Sequence, residues 1–174
     1  MITIGIDPSL TGTGIVVIKD GKIIDKCLIK SKPVGDRPND EIDRIKGIVH
    51  KVDEYLSKYN PDIICMEGLA FMARNTTALM QLAGLNYLLR TMFHGHKQWF
   101  IVAPSTLKKF ILGKGAGDKS LVMMEVYKKY GEELSDNNIA DAFVLAQIGQ
   151  AIGGKHKNLT NPQVEVCTLL ANQV

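Results

Sequence analysis

Three short, apolar, β-rich runs occupy residues 2–6, 14–18 and 23–29, and Asp20-Gly21 stands between the second and third. That dipeptide suits a two-residue hairpin turn, so the runs are predicted to form an antiparallel meander. Pro33, Gly35 and Pro38 exclude either regular pattern from residues 30–38, which read as a connecting loop. A helix then starts at Asn39 or Asp40. Its Ile42, Ile45, Val49, Val52, Leu56 and Tyr59 recur at three- and four-residue steps, and Asn60-Pro61 ends it. Residues 62–66 read as a short buried strand, 67–75 as a loop leading to a helix that ends near Phe93, and 98–103 as a fifth strand. Pro104 opens a short helix to Leu112, a glycine-rich loop follows at 113–117, and helices over about 118–130 and 138–152 end at Gly153-Gly154.

Strands separated by helices need crossover connections, so the later ones should run parallel. The expected fold class is α/β, ribonuclease-H-like, with a five-stranded mixed sheet flanked by helices. The 174 residues, 45% apolar and 22% charged, suit one such domain over 1–152. Residues 153–174 are expected to be a flexible extension or an added strand. No leader or membrane span is visible, which predicts a cytoplasmic protein, in the host cytoplasm if phage-encoded. Cys27, Cys65 and Cys167 lack metal or disulfide spacing and read as small reduced hydrophobes. The net charge is only +3, but residues 97–130 carry seven lysines against Asp118 and Glu125. That concentration suits a polyanionic partner.

Two acids stand at the ends of otherwise apolar strands. Asp7 is followed by Pro8-Ser-Leu-Thr-Gly-Thr-Gly, and Glu67 follows Ile63-Ile-Cys-Met66. If those strands are neighbours, both carboxylates leave one edge of the sheet. Asp141 lies near the start of the helix over 138–152, with Asn138 one turn earlier on the same face. Singly, each acid has an ordinary reading: Asp7 caps a turn, Glu67 pairs with a lysine, Asp141 favours a helix N-terminus. Their joint placement points to a metal site of hard oxygen donors, suited to Mg²⁺ with Mn²⁺ as a substitute. Paired ions of that kind promote phosphodiester hydrolysis.

The run Ile4-Gly-Ile-Asp7-Pro-Ser-Leu-Thr-Gly-Thr-Gly14 resembles the opening motif of Holliday junction resolvases of the RuvC family. Glu67, then Phe71-Met-Ala-Arg-Asn75, resembles the family's second acid and junction-contacting aromatic loop. Lys108, Gly113-Lys-Gly115, Asp118-Lys-Ser120 and Ile139-Ala-Asp-Ala142 fall in the family's order across about residues 1–152. The resemblance implies a Mg²⁺-dependent endonuclease that cuts four-way junctions and other branched DNA in recombination or repair. It makes Asp7, Glu67 and Asp141 the metal-binding catalytic residues and sets Lys119 near the scissile phosphate. Divergence outside the motifs suggests a phage-borne relative.

Phe71 is expected to stack on an unpaired base beside Arg74, while Lys108, Lys109, Lys114 and Lys119 line the DNA path. Lys128 and Lys129 read as a solvated helix face. The chain departs from the family in two places. The stretch from Glu67 to Phe71 is one residue longer, and the fourth acidic position is Asn138, whose amide oxygen binds a metal without adding charge. Asp136 is an alternative, although as a helix cap it points elsewhere.

Gly113-Lys-Gly-Ala-Gly-Asp-Lys-Ser120 only approximates a P-loop, since Asp118 replaces a required glycine and a helix precedes it. His94-Gly-His96 has no further ligand pair for zinc. Two rival readings are a single-domain actin- or sugar-kinase-like ATP-binding protein and a branched-DNA-binding protein with weakened catalysis. The helix over 78–93 is apolar around more of its circumference than one sheet contact covers, which predicts a homodimer through it.

Overall fold

A computed structural model describes residues 1–69 and 76–173. The expected hairpin turn forms with Asp20 at φ 48° and Gly21 at φ 84°, the left-handed pair that lets two twisted strands join without splaying. It links β2 (Gly12–Lys19) to β3 (Lys22–Lys30), and β2 also pairs antiparallel with β1 (Ile2–Asp7). After helix α1 (Pro38–Tyr59) the chain returns as β4 (Ile63–Glu67), parallel to β1. Helix α2 (Thr76–Phe93) then leads to β5 (Trp99–Val102), parallel to β4. The sheet order is β3-β2-β1-β4-β5, the mixed five-stranded plan the element order predicts. Helices α3 (Pro104–Leu112), α4 (Lys119–Tyr130), α5 (Asn137–Ile152) and α6 (Asn161–Ala171) complete the chain. Among the described residues no helix is long and apolar enough to cross a membrane.

The sheet divides two cores. Ile4, Ile6, Ile15, Val17, Ile64 and Met66 point toward α1 and α2, whereas Val16, Ile18, Ile63, Cys65, Phe100 and Val102 pack with the four later helices. Helix α5 is buried from Ile139 to Ala151, with apolar residues on every side and Asp141, Gln147 and Gln150 as its buried polar groups. Glycines let it sit against the strands. A Cβ on Gly5 would lie 1.9 Å from the Ala142 carbonyl oxygen, and one on Gly14 would lie 2.2 Å from that of Asn138.

Three expectations change. Helix α1 starts at Pro38 rather than Asn39 or Asp40, with Arg37 at the N-cap joined to Asp40. Ile42, placed on its apolar stripe, is 52% exposed and Ile48 is buried instead, because contact with the sheet begins a turn later at Ile45. The tail, expected to be an added strand or flexible, holds helix α6. Thr160 and Gln163 form its capping box, Pro162 occupies its first turn, and Val166 and Leu170 are buried in the core.

Candidate active site

The register fixes two of the acids. Ile6 pairs with Met66, so the next residues, Asp7 and Glu67, leave adjacent parallel strands at the same carboxyl edge. The glycine seats of α5 bring the third. Ala142 lies on Gly5, which sets Asp141 beside the end of β1. Asp7, Glu67 and Asp141 line one cleft of about 530 Å³ with Asn138, Lys108 and Lys119. Asp7 is 5% exposed and Asp141 7%.

Burial pushes the Asp7 carboxyl well above the usual carboxylate range, and the charges of Glu67 and Asp141 push it further while Lys119 opposes them. Asp7 and Glu67 also act on each other directly, which raises the first and lowers the second. Glu67 is raised chiefly by burial, with Asp141 adding to it and Asp7, Lys119 and Lys108 drawing it back. Asp141 is likewise raised by burial against the pull of Lys119 and Lys108. Three desolvated carboxyls facing one another form an electrostatic deficit that a bound cation would relieve.

Among the described residues no three His, Cys, Asp or Glu side chains form a ready-made metal cage. Mg²⁺ does not require one, because it keeps several waters and takes substrate phosphate oxygens beside one or two carboxylates. The donor set, all hard oxygen and anionic, fits that ion.

Backbone tethers hold the acids in place. The turn after Asp7 is knotted by Thr13, whose hydroxyl donates to the Ser9 carbonyl at 2.7 Å and accepts from the Ser9 N–H at 3.1 Å. Asn138 Nδ2 donates to the Gly12 carbonyl at 2.6 Å, leaving its amide oxygen as the atom available to a cation. Asn86, buried on α2, donates to the Glu67 carbonyl at 3.3 Å and accepts from Arg90 Nε at 2.8 Å. Sequence reasoning missed Asn86, although a polar residue on the apolar stripe of Leu82, Leu85, Leu89 and Phe93 is the signal that marks it. Asp136 caps α5 by accepting from Asn138 N–H at 2.8 Å, so the carboxylate offered as the alternative to residue 138 is engaged by the backbone.

The lysines separate. Lys119 opens α4, whose N-cap Asp118 accepts from Leu121 N–H at 3.0 Å, and Lys108 lies on α3, so both face the acids. Lys114 is exposed on the loop between α3 and α4. Lys109 instead pairs with Glu165 of α6, which draws it away from the cleft. Lys129, read as a plain solvated side chain, donates to the Ile111 carbonyl at the end of α3. Phe71 and Arg74 lie outside the described residues.

Residues 3–149 match the family described as crossover junction endodeoxyribonuclease RuvC. The chain is 28% identical over 152 residues to the crossover junction endodeoxyribonuclease RuvC of Alkaliphilus metalliredigens, covering 84% of this chain and 90% of the relative. It is also similar to the Thermus thermophilus RuvC structure, with a TM-score of 0.71, 22% identity, and coverage of 89% of this chain and 98% of that one. T. thermophilus RuvC in complex with Holliday junction substrate gives a TM-score of 0.70 at 21% identity, over 84% of this chain and 90% of that one.

Proposed function

This chain belongs to the RuvC family of crossover junction endodeoxyribonucleases, and from that membership we propose that it is a metal-dependent endonuclease cutting four-way junctions. The observation that carries the reading is the convergence of Asp7, Glu67 and Asp141 from β1, β4 and α5 into one cleft beside two lysines. In this reading the three carboxylates hold Mg²⁺, or Mn²⁺ in its place, and the Asn138 amide oxygen serves as a neutral fourth donor. The bound metal would supply a Lewis acid that activates water and takes up charge on the leaving oxygen.

The protein's own groups do the rest. Lys119 and Lys108 draw the scissile phosphate to the acids and offset its charge. Burial raises both Asp7 and Glu67, so their ionised forms are costly unless a cation or the lysines offset them. Lys114 and Lys109 extend the cationic path, although Lys109 must first leave Glu165, and Phe71 with Arg74 engages the junction as the family resemblance implies. Helix α2 joins two copies into a homodimer, placing two sites on the strands of one symmetric junction.

The test is cleavage of a synthetic four-way junction with Mg²⁺ and with a chelator. Cutting should require the metal, and Asp7→Asn or Glu67→Gln should abolish it while junction binding persists. Cutting in chelator, or normal cutting by either variant, would overturn the assignment.

A further inference from the structure

Beside the free edge of β3 runs a groove of about 600 Å³ that the catalytic cleft does not include. The end of β3 and the loop after it form one wall, and a single face of α1 forms the other. Gly47 lies between them facing open space, since a Cβ there would meet nothing within 4 Å. Lys32, Arg44 and Lys51 line this groove against one acid, Asp43, whereas the Lys30 side chain leaves the other face of the sheet with Leu28 and Gly12. Lys51 is paired with Glu54 at 2.8 Å. Among the described residues no carboxylate pairs with Lys32, and it is exposed.

The groove and the catalytic cleft share a wall. Leu10 and Thr11 line the cleft, whereas Ser31 and Arg44 line the groove. Ser31 N–H donates to the Thr11 carbonyl at 3.3 Å, and its hydroxyl donates to the Leu10 carbonyl at 3.1 Å. The Arg44 guanidinium donates to the Ser31 hydroxyl at 2.7 Å and to the Leu10 carbonyl as well. A polyanion leaving the cleft over Leu10 therefore meets the groove's lysines next.

We propose that this groove is a second DNA-binding surface that takes the phosphate backbone of one arm of the branched substrate. The inference rests on the junction-nuclease reading above. Lys32 supplies a phosphate contact free of competing carboxylates, with Lys51 beside it on α1, and the apolar lining of Cys27, Ile29 and Ile48 suits the sugars between them. Charge and continuity with the cleft select DNA over an apolar or acidic peptide.

The test is equilibrium binding of a synthetic four-way junction to the full chain across a salt series in chelator. Removing a phosphate contact lowers the slope of log affinity against log salt by about 0.9 on duplex DNA. Lys32→Ala should thus flatten the slope by about one and weaken binding. A control, Lys157→Ala, removes the same charge from an exposed position outside both cavities and should retain the wild-type slope. An unchanged slope in the groove variant, or an equal loss in the control, would overturn the proposal. Wild-type protein that fails to bind the junction would defeat the underlying nuclease reading, a result distinct from either.

Discussion

Asp7, proposed as a metal-binding carboxylate, acts against stability. A carboxyl kept well above its ordinary range binds its proton more tightly in the folded protein than in the unfolded chain. The metal-free protein therefore gains stability from this group as pH falls toward the unfolded carboxyl range, and loses it as pH rises through the elevated folded value. Asp7→Asn removes the repulsion, so it should raise the Tm of the metal-free protein at neutral pH, by about 2–4 °C for each kcal/mol relieved. The advantage should shrink at acid pH, and Mg²⁺ should stabilise the wild type more than the variant. Thermal melts of both proteins across pH, with and without Mg²⁺, check this, and equal Tm values throughout would contradict it. Asn138 presents the opposite case. Its Nδ2 donates to the Gly12 carbonyl, a bond no ionised carboxylate can make. Asn138→Asp should destabilise the metal-free protein by setting a negative charge against that carbonyl. It should also raise the Mg²⁺-supported cutting rate by about tenfold or more, since it adds charge where a second ion lacks it. Single-turnover cleavage over a Mg²⁺ and Mn²⁺ series measures both versions, and equal rates at every concentration would leave Asn138 as a tether alone.

Among the elements, α5 decides whether the acids meet, and its position depends on residues that carry no chemistry. Gly5→Ala would drive a methyl into the Ala142 carbonyl, so α5 must lift from β1 and take Asp141 with it. Overpacking of this kind costs about 1–3 kcal/mol. The expected result is a lower denaturation midpoint together with reduced cleavage, whereas full activity at unchanged stability would show that the helix seat is loose. The element order, the hairpin at Asp20-Gly21 and the two acidic strand ends were legible because each is a local signal: a turn that demands positive φ, or a charge where apolar residues should continue. The tethers were not legible. Asn86 reaching Glu67, Asn138 reaching Gly12 and Arg44 reaching Leu10 join residues far apart in the chain, and no short-range pattern encodes such partners. Helix α6 was misread for a related reason. The capping box of Thr160 and Gln163 with Pro162 was present, but the run from Val164 to Leu170 contains Val, Cys and Thr, which suit strands as well as helices.

At the scale of the whole molecule, the two faces of α2 differ in what covers them. Leu85, Leu89 and Phe93 are buried against α1 and the sheet, whereas Met80, Tyr87 and Leu88 are 73%, 62% and 46% exposed. The exposed three lie along one side of the helix at spacings of seven and eight residues, about two turns. An apolar ridge of this kind on a monomer is a liability, and it becomes an asset when two copies pack ridge to ridge about a two-fold axis. Such a pairing also answers a demand of the substrate, because a four-way junction has two equivalent strands to cut. Sedimentation of the wild type at micromolar concentration should accordingly give a dimer, and Leu88→Glu combined with Met80→Glu should give a monomer of unchanged fold. Burying two carboxylates per copy in that contact would leave them unpaired, at a cost of several kcal/mol. The monomeric variant should still bind a junction through the lysines of its own cleft. Its cuts should appear on one strand at a time, accumulating nicked junctions rather than resolved duplexes. A wild type that sediments as a monomer under cutting conditions, or a monomeric variant that still resolves junctions in paired cuts, would remove α2 from this role.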